Sequence, residues 1–443
     1  MAYDPHPYGE RLKLQQVPHA GAVFGADYPI GLGGLGGSPD GPLNEVHVFW
    51  IAGMSCDGCS IAATGATNPS VEDLLLGRIP KLPKVILHHP VLNPGAGTEL
   101  TRPMRQAVDG ELGAPYVVVL EGSVPDDQAF PDDIGYFSAM GAGGFDPESE
   151  TDQPNRVTDW LWKLAPGAAA YVAIGTCATW GGIPAAAGNI TGSMSLTDFL
   201  GKDYRSALGV PVVNVPGCSP VGDNFTETVA AVLLFLQNLG PLPKFDELGR
   251  PAWLFEETVH RHCPKAGYYE EGVFAEEPGD NQCLVEIGCW GPVVQCNIVE
   301  RGAINHMGGC MVAGGACIGC TMPGFPDKYS PFYKAPPGSA ISGGLSKIYG
   351  GGIRRLRRLS MKQGNREPLW DNSGEVPSGW AEKAPKKGMV DKTNTFFYKK
   401  LQYHGSVDQG KRNKKQPLPA SRDILKTKGV SRNRSNDARG ERV

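Results

Sequence analysis

Eleven cysteines lie between Cys56 and Cys320, and none follows in a chain of 443 residues. An odd number cannot close into disulfides alone. The opening residues, MAYDPHPYGERLKLQQ, show no basic segment leading into an apolar one, so a reducing, intracellular setting is expected. Thiols this numerous in such a setting are expected to hold metal. Cys56-x-x-Cys59 and Cys317-x-x-Cys320 both have the spacing of zinc knuckles, and either pair alone would suit structural zinc as well as iron. The full set is better matched by iron–sulfur clusters, which take soft thiolates about four at a time.

The order of segments predicts where those thiols fall. Buried strands are expected at VHVFWI (Val46 to Ile51), KVILHH (Lys84 to His89), YVVVLEG (Tyr116 to Gly122), AAYVAIGT (Ala169 to Thr176) and PVVNVPG (Pro211 to Gly217). Amphipathic segments such as SVEDLLLGRI and VTDWLWKLA lie between them, which argues for an α/β fold with an open parallel sheet. Cys56, Cys59, Cys177 and Cys218 each follow closely on one of these strands. If the strands are parallel, four thiols meet at the carboxyl edge of the sheet, where such folds place their sites. After about residue 226 the pattern changes. A helical run, Thr228 to Leu239, leads into glycine-rich, cysteine-dense sequence expected to be organised by what it binds.

The remaining thiols divide in sequence order. Cys263, Cys283 and Cys289 form a set lacking a fourth member, and Cys296, Cys310, Cys317 and Cys320 form a complete one. His260 precedes Cys263 by one helical turn and can complete the first of these. His262, adjacent to Cys263, would point about 100° away on a helix and is expected to stand off the site. Eleven cysteines and one histidine then make three sets of four with no thiol spare.

Charge is unevenly laid out. From Gly352 onward there are 23 Lys and Arg against 9 Asp and Glu, a net of +14, which leaves −18 on the rest and −4 overall. A basic tail can meet membrane phosphate, nucleic acid or an acidic partner. Its interleaved Trp370, Trp380, Phe396, Phe397 and Tyr398 favour a segment that wraps a protein surface, so nucleic-acid binding is not expected. The longest apolar run, Val229 to Leu236, is too short to span a bilayer.

Several stretches together resemble the small, electron-transferring subunit of nickel–iron hydrogenases. FWIAGMSCDGCS is similar to its proximal-cluster signature, and VVLEGSVP, GTCATWGG with PAAAGNITG, and PGC are similar to its later ones. HRHCP, CLVEIGCWGP and GACIGCTMPGFPD resemble the distal and medial signatures in the right order, so the match runs over about residues 45–335. The resemblance implies a flavodoxin-like domain followed by a loop-rich iron–sulfur domain. The expected organisation is an extended arm at 1–44, the sheet domain at 45–225, the cluster domain at 226–345 and a basic extension at 346–443. It implies that Cys56, Cys59, Cys177 and Cys218 hold a proximal cluster and that His260, Cys263, Cys283 and Cys289 hold a distal one. Cys296, Cys310, Cys317 and Cys320 would hold a medial one.

The resemblance also carries departures. Many family members have proline where Cys310 stands, seven residues before Cys317, and a medial cluster of three irons. A fourth thiolate retains a fourth iron, so all three clusters are expected to be 4Fe–4S, the medial one reverting to 3Fe–4S if Cys310 is not a ligand. Asp57 beside Cys56 could replace a thiolate at the proximal cluster, or cap a turn. Glu121 matches a family carboxylate near that cluster and is expected to accept a proton there or ligate transiently. Gly58 stands where an oxygen-tolerant branch has an extra cysteine, so that device is not expected.

The likeness is greatest to the soluble actinobacterial-type, high-affinity hydrogen-oxidising branch (group 1h). It implies a nickel–iron large subunit as partner, a dimer of heterodimers, and a quinone or redox protein as acceptor. A cytoplasmic enzyme, with peripheral association at a membrane, is expected. A complex I-like or energy-converting hydrogenase subunit would share only the proximal domain, and a zinc-stapled scaffold would have no redox role.

Overall fold

The computed structural model describes residues 43–333 apart from 128–134, 144 and 146–153. The expected arm as far as residue 42, and the basic extension, lie outside the described residues.

Among the described residues there are seven strands: β1 (Glu45–Ala52), β2 (Lys84–His88), β3 (Tyr116–Glu121), β4 (Ala139–Ala142), β5 (Pro154–Arg156), β6 (Ala170–Ile174) and β7 (Val213–Val215). Five form one sheet in the order β2-β1-β3-β6-β7, and β4 pairs with β5 in a separate antiparallel ribbon. Every pairing in the large sheet is parallel. All five expected strands are present; the first is one residue longer at each end, and the other four are trimmed by one to four residues. The last shrinks most, because Pro211 lacks an amide for the ladder and Gly217 takes φ 151°.

Parallel strands need cover on both faces, and β3 is buried along its whole length. One face carries Val46, Val48, Trp50, Val117, Val119 and Val172 against the helix Gly222–Leu236. The other carries Phe49, Ile51, Val118 and Leu120 against the helices Thr98–Asp109 and Val157–Leu164. Period-two alternation in β1 sends its side chains to the two cores in turn. The helix Thr98–Asp109 is hard to read locally because Pro103 sits inside it, yet Leu100, Met104 and Ala107 line one buried stripe.

The helix Gly222–Leu236 crosses the expected boundary at 225/226 and packs into the sheet's core. Its Glu227, fully buried, meets Arg301 of the loop-rich region at 2.5 Å and accepts from Trp253 Nε1 at 2.7 Å. This pair joins the two regions across 74 residues of sequence. Among the described residues no helix is long and apolar enough to cross a membrane.

Two predictions arise here. Glu227→Ala is expected to cost about 3–5 kcal/mol, the range for breaking a buried ion pair, read as a lowered Tm. The second concerns His47 of β1 and His88 of the edge strand β2, which share a hydrogen bond of 2.9 Å. Burial, then the neighbouring His47, hold the pKa of His88 down at about 4, below its ordinary 6.5. Between those values the unfolded chain binds a proton that the folded chain refuses, so stability should fall as pH drops from 6.5 to about 4. His88→Phe should flatten that part of the stability–pH curve in chemical denaturation.

Candidate metal centres

The carboxyl edge of the sheet gathers the first set. Cys56 lies in the loop after β1, Cys59 in the first turn of the helix Gly58–Thr64, Cys177 in the helix Gly175–Trp180, and Cys218 just after β7. Burial pushes the Cys59 thiol far up, and the nearby charges of Glu121, Cys177, Cys56 and Cys218 push it further. Cys177 is raised to about 11 by burial, partly offset by the amide of Ile183, with Cys218, Cys56 and Glu121 adding to the rise. These four sulfurs therefore share one site.

Glycine makes the room. Gly175 has φ 82°, and a methyl there would overlap the Cys59 sulfur. At Gly182, φ 54°, it would stand 2.7 Å from the sulfur of Cys177.

Cys296, Cys310, Cys317 and Cys320 form a second group. Burial raises Cys296 strongly, with Cys320 and Cys310 adding to the rise and the Arg250 cation opposing it. Cys320 is pushed up to about 12 by burial, and the charges of Cys310 and Cys218 add to it. Cys310 is exposed in this chain yet faces both Cys296 and Cys320. Arg250, with no exposed surface, is fixed by Asp246 Oδ2 at 2.7 Å and Gln295 Oε1 at 2.6 Å. Nothing in its local sequence, ELGRPAW, marks it as a cation beside a thiol set.

The third group is His260, Cys263, Cys283 and Cys289. Burial raises Cys283 to about 12, with Cys289 and Cys263 contributing. His260 lies in the short helix Val259–His262, buried, with its ring 4.7 Å from Tyr269, which packs on Cys283. His262 turns away as expected. It is held by Glu257 at 2.6 Å and Glu300 at 3.2 Å, an ion-paired cluster apart from the thiols.

Backbone contacts order the groups. Thr176, next to Cys177, hydrogen-bonds the carbonyl of Cys320, and Trp180 Nε1 donates to the carbonyl of Thr321 at 3.1 Å. The amide of Cys317 donates to the sulfur of Cys289 at 3.3 Å. The complete set near residue 310 thus lies between the other two.

Asp57 is exposed, at φ 59°, and makes no capping bond to the helix it precedes. Its amide donates to the hydroxyl of Ser55 at 3.1 Å, and its charge acts on His89. Glu121 is buried and accepts from Trp50 Nε1 and from the amide of Cys59, each at 3.0 Å, and from the hydroxyl of Ser60 in a shorter bond. Sequence reasoning missed Trp50, Ser60 and Arg250 as parts of these sites. Trp50 and Ser60 lie within the signature stretch itself, but only the fold shows what they touch.

The donor sets fit iron–sulfur clusters: each is three or four soft thiolates, mutually close. Gly175→Ala should remove about a third of the iron and acid-labile sulfide per chain, one set of the three. Unchanged iron would refute the crowding at Cys59.

Comparison with known proteins bears on the same residues. The C-terminal family of the NiFe/NiFeSe hydrogenase small subunit matches residues 255–333, and the family described as NADH ubiquinone oxidoreductase, 20 Kd subunit, matches residues 56–232. The chain is 33% identical over 293 residues to the periplasmic NiFeSe hydrogenase small subunit of Desulfomicrobium baculatum, covering 66% of this chain and 88% of that protein. It is 32% identical to the hydrogenase-2 small chain of Escherichia coli K12, covering 71% and 81%. Among solved structures it is similar to the actinobacterial-type NiFe-hydrogenase from Ralstonia eutropha H16. There the identity is 50% and the TM-score 0.67, over 77% of this chain and 97% of that one.

Proposed function

The chain belongs to the nickel–iron hydrogenase small-subunit family, and from that premise we propose which residues carry its electron relay and what each contributes. It is the electron-transfer subunit of a hydrogenase heteromer, paired with a large subunit that bears the nickel–iron centre. Iron–sulfur clusters, when bound, pass electrons from hydrogen oxidation singly along the chain toward an acceptor.

We assign Cys56, Cys59, Cys177 and Cys218 to the proximal cluster, with Asp57 as an alternative donor. The medial cluster takes Cys296, Cys310, Cys317 and Cys320, and the distal one His260, Cys263, Cys283 and Cys289. The single observation carrying this reading is the contact order, Cys177–Thr176 to Cys320 and Cys317 to Cys289, which strings three four-donor sets in a line. The sheet then frames the proximal set, and the loop-rich region frames the other two.

The chain's residues do the remaining work. Thiolates supply negative charge, Arg250 supplies a positive one beside Cys296, and the imidazole of His260 replaces one thiolate at the distal end. Fewer thiolates mean a higher potential, so the distal set should sit above its all-cysteine equivalent. Cys310, as a fourth thiolate, should make the medial cluster a cubane of lower potential. The exposed Cys56, Asp57 and Ile61 beside the proximal set form the face we assign to the large subunit. Eleven unpaired cysteines suit a reducing compartment, which favours the cytoplasm.

The test is iron, acid-labile sulfide, zinc and nickel on anaerobically purified heteromer, with Cys310→Ala alongside. About twelve irons and twelve sulfides per small subunit are expected, falling by about one iron in the variant, with a three-iron EPR signal on oxidation. Zinc with little sulfide would sink the reading. Identical iron counts and spectra in the variant would remove Cys310 from the ligands.

A further inference from the structure

Ser60, on the helix Gly58–Thr64, is drawn into the Glu121 site by a residue from a distant loop. Its oxygen lies 2.9 Å from Nε2 of His89, the residue that follows β2. The other side of that ring fixes where the protons sit. The backbone N–H of Val91 lies 3.1 Å from His89 Nδ1, and an amide N–H can only donate. Nδ1 is therefore bare, and Nε2 carries the hydrogen toward Ser60. Ser60 accepts from His89 and gives its own hydrogen to Glu121.

The surroundings of this chain of bonds are mostly apolar. His89 is 6% exposed, its ring 5.0 Å from that of Trp50, and it stands in the wall of a largely apolar cavity of about 250 Å³ that Asp57 and Ser60 also line. Trp50 belongs to the same arrangement, because its indole donates to the same Glu121 oxygen that Ser60 reaches. In so apolar a place each hydrogen bond polarises the next. Burial also holds the pKa of His89 low, against the pull of Glu121 and Asp57, in keeping with a neutral ring.

We propose that His89 is a positioning residue for the proximal centre: through Ser60 it holds the Glu121 carboxylate on the amide of Cys59 and draws negative charge away from the sulfurs. This rests on the assignment of Cys59 as a proximal ligand. With the bonds intact, the charge of Glu121 is spread over Trp50, Ser60 and His89. With them cut, it stands concentrated beside Cys59, and added negative charge disfavours taking up an electron. No proton leaves any residue in this account; the hydrogens only direct charge.

The experiment is an EPR-monitored redox titration of the intact heteromer, wild type against His89→Phe, Ser60→Ala and His89→Gln, with iron and sulfide counted on each. His89→Phe and Ser60→Ala should both shift the proximal potential downward and leave the medial and distal potentials in place. His89→Gln keeps an N–H donor for Ser60 and should return the proximal value to that of wild type. Loss of the proximal cluster from His89→Phe but not from His89→Gln would also support the proposal. An unmoved or raised proximal potential overturns it, as does a common shift of all three clusters. A His89→Gln variant as displaced as His89→Phe, or loss of the cluster from both, overturns it too. Wild-type heteromer without iron and sulfide would instead remove the ligand assignment, and the proposal with it.

Discussion

A buried thiol is hard to ionise, and the rest of this molecule is arranged around sulfurs that must nonetheless act as thiolates. Burial is the leading cause of the upward pull on Cys59, Cys177, Cys283, Cys289, Cys296 and Cys320, and in most of them the charges of other thiols add to it. Only a cationic centre held among them relieves both effects. The loop-rich region builds its own smaller apolar core, with Trp290, Met322 and Tyr329 packed beside Cys289 and Cys317. The sheet domain differs, because its two apolar cores frame the carboxyl edge independently of what binds there.

This division explains how three sites keep fixed spacing. The parallel sheet supplies a rigid edge, with Glu121 at the end of β3 and Cys59 in the helix that follows the adjacent β1. The loop-rich region is tied to that edge through Thr176, Trp180 and the buried Glu227–Arg301 pair. Cys317 and Cys289 then carry the line outward through a single amide-to-sulfur bond. Electron transfer depends on such spacing, so the contacts that join the regions matter to function as much as the ligands do.

Around each set the chain adds a polar group that tunes the centre: Glu121 at the sheet edge, Arg250 beside Cys296, and the imidazole of His260. Each is buried, and each is fixed by neighbours of its own. In a low dielectric such groups act strongly on a nearby redox centre, which is why their geometry is so closely held.

Much of this was legible in the chain. The thiol-bearing loops follow strands whose apolar runs announce a buried parallel sheet, and the relation of His260 to Cys263 is a matter of one helical turn. Those are local facts, set by periodicity and by which residues tolerate a turn. The helix Thr98–Asp109, interrupted by Pro103, lacked such a local signal. The partners of Glu121, the placing of Arg250 by Gln295, and the order of the three sets come from residues tens to more than a hundred positions apart. Composition and spacing determined that this protein carries thiols in the number and pattern of a metal-binding chain. Only the tertiary fold decided which buried charges face each set, because that depends on which distant segments are brought within hydrogen-bonding distance.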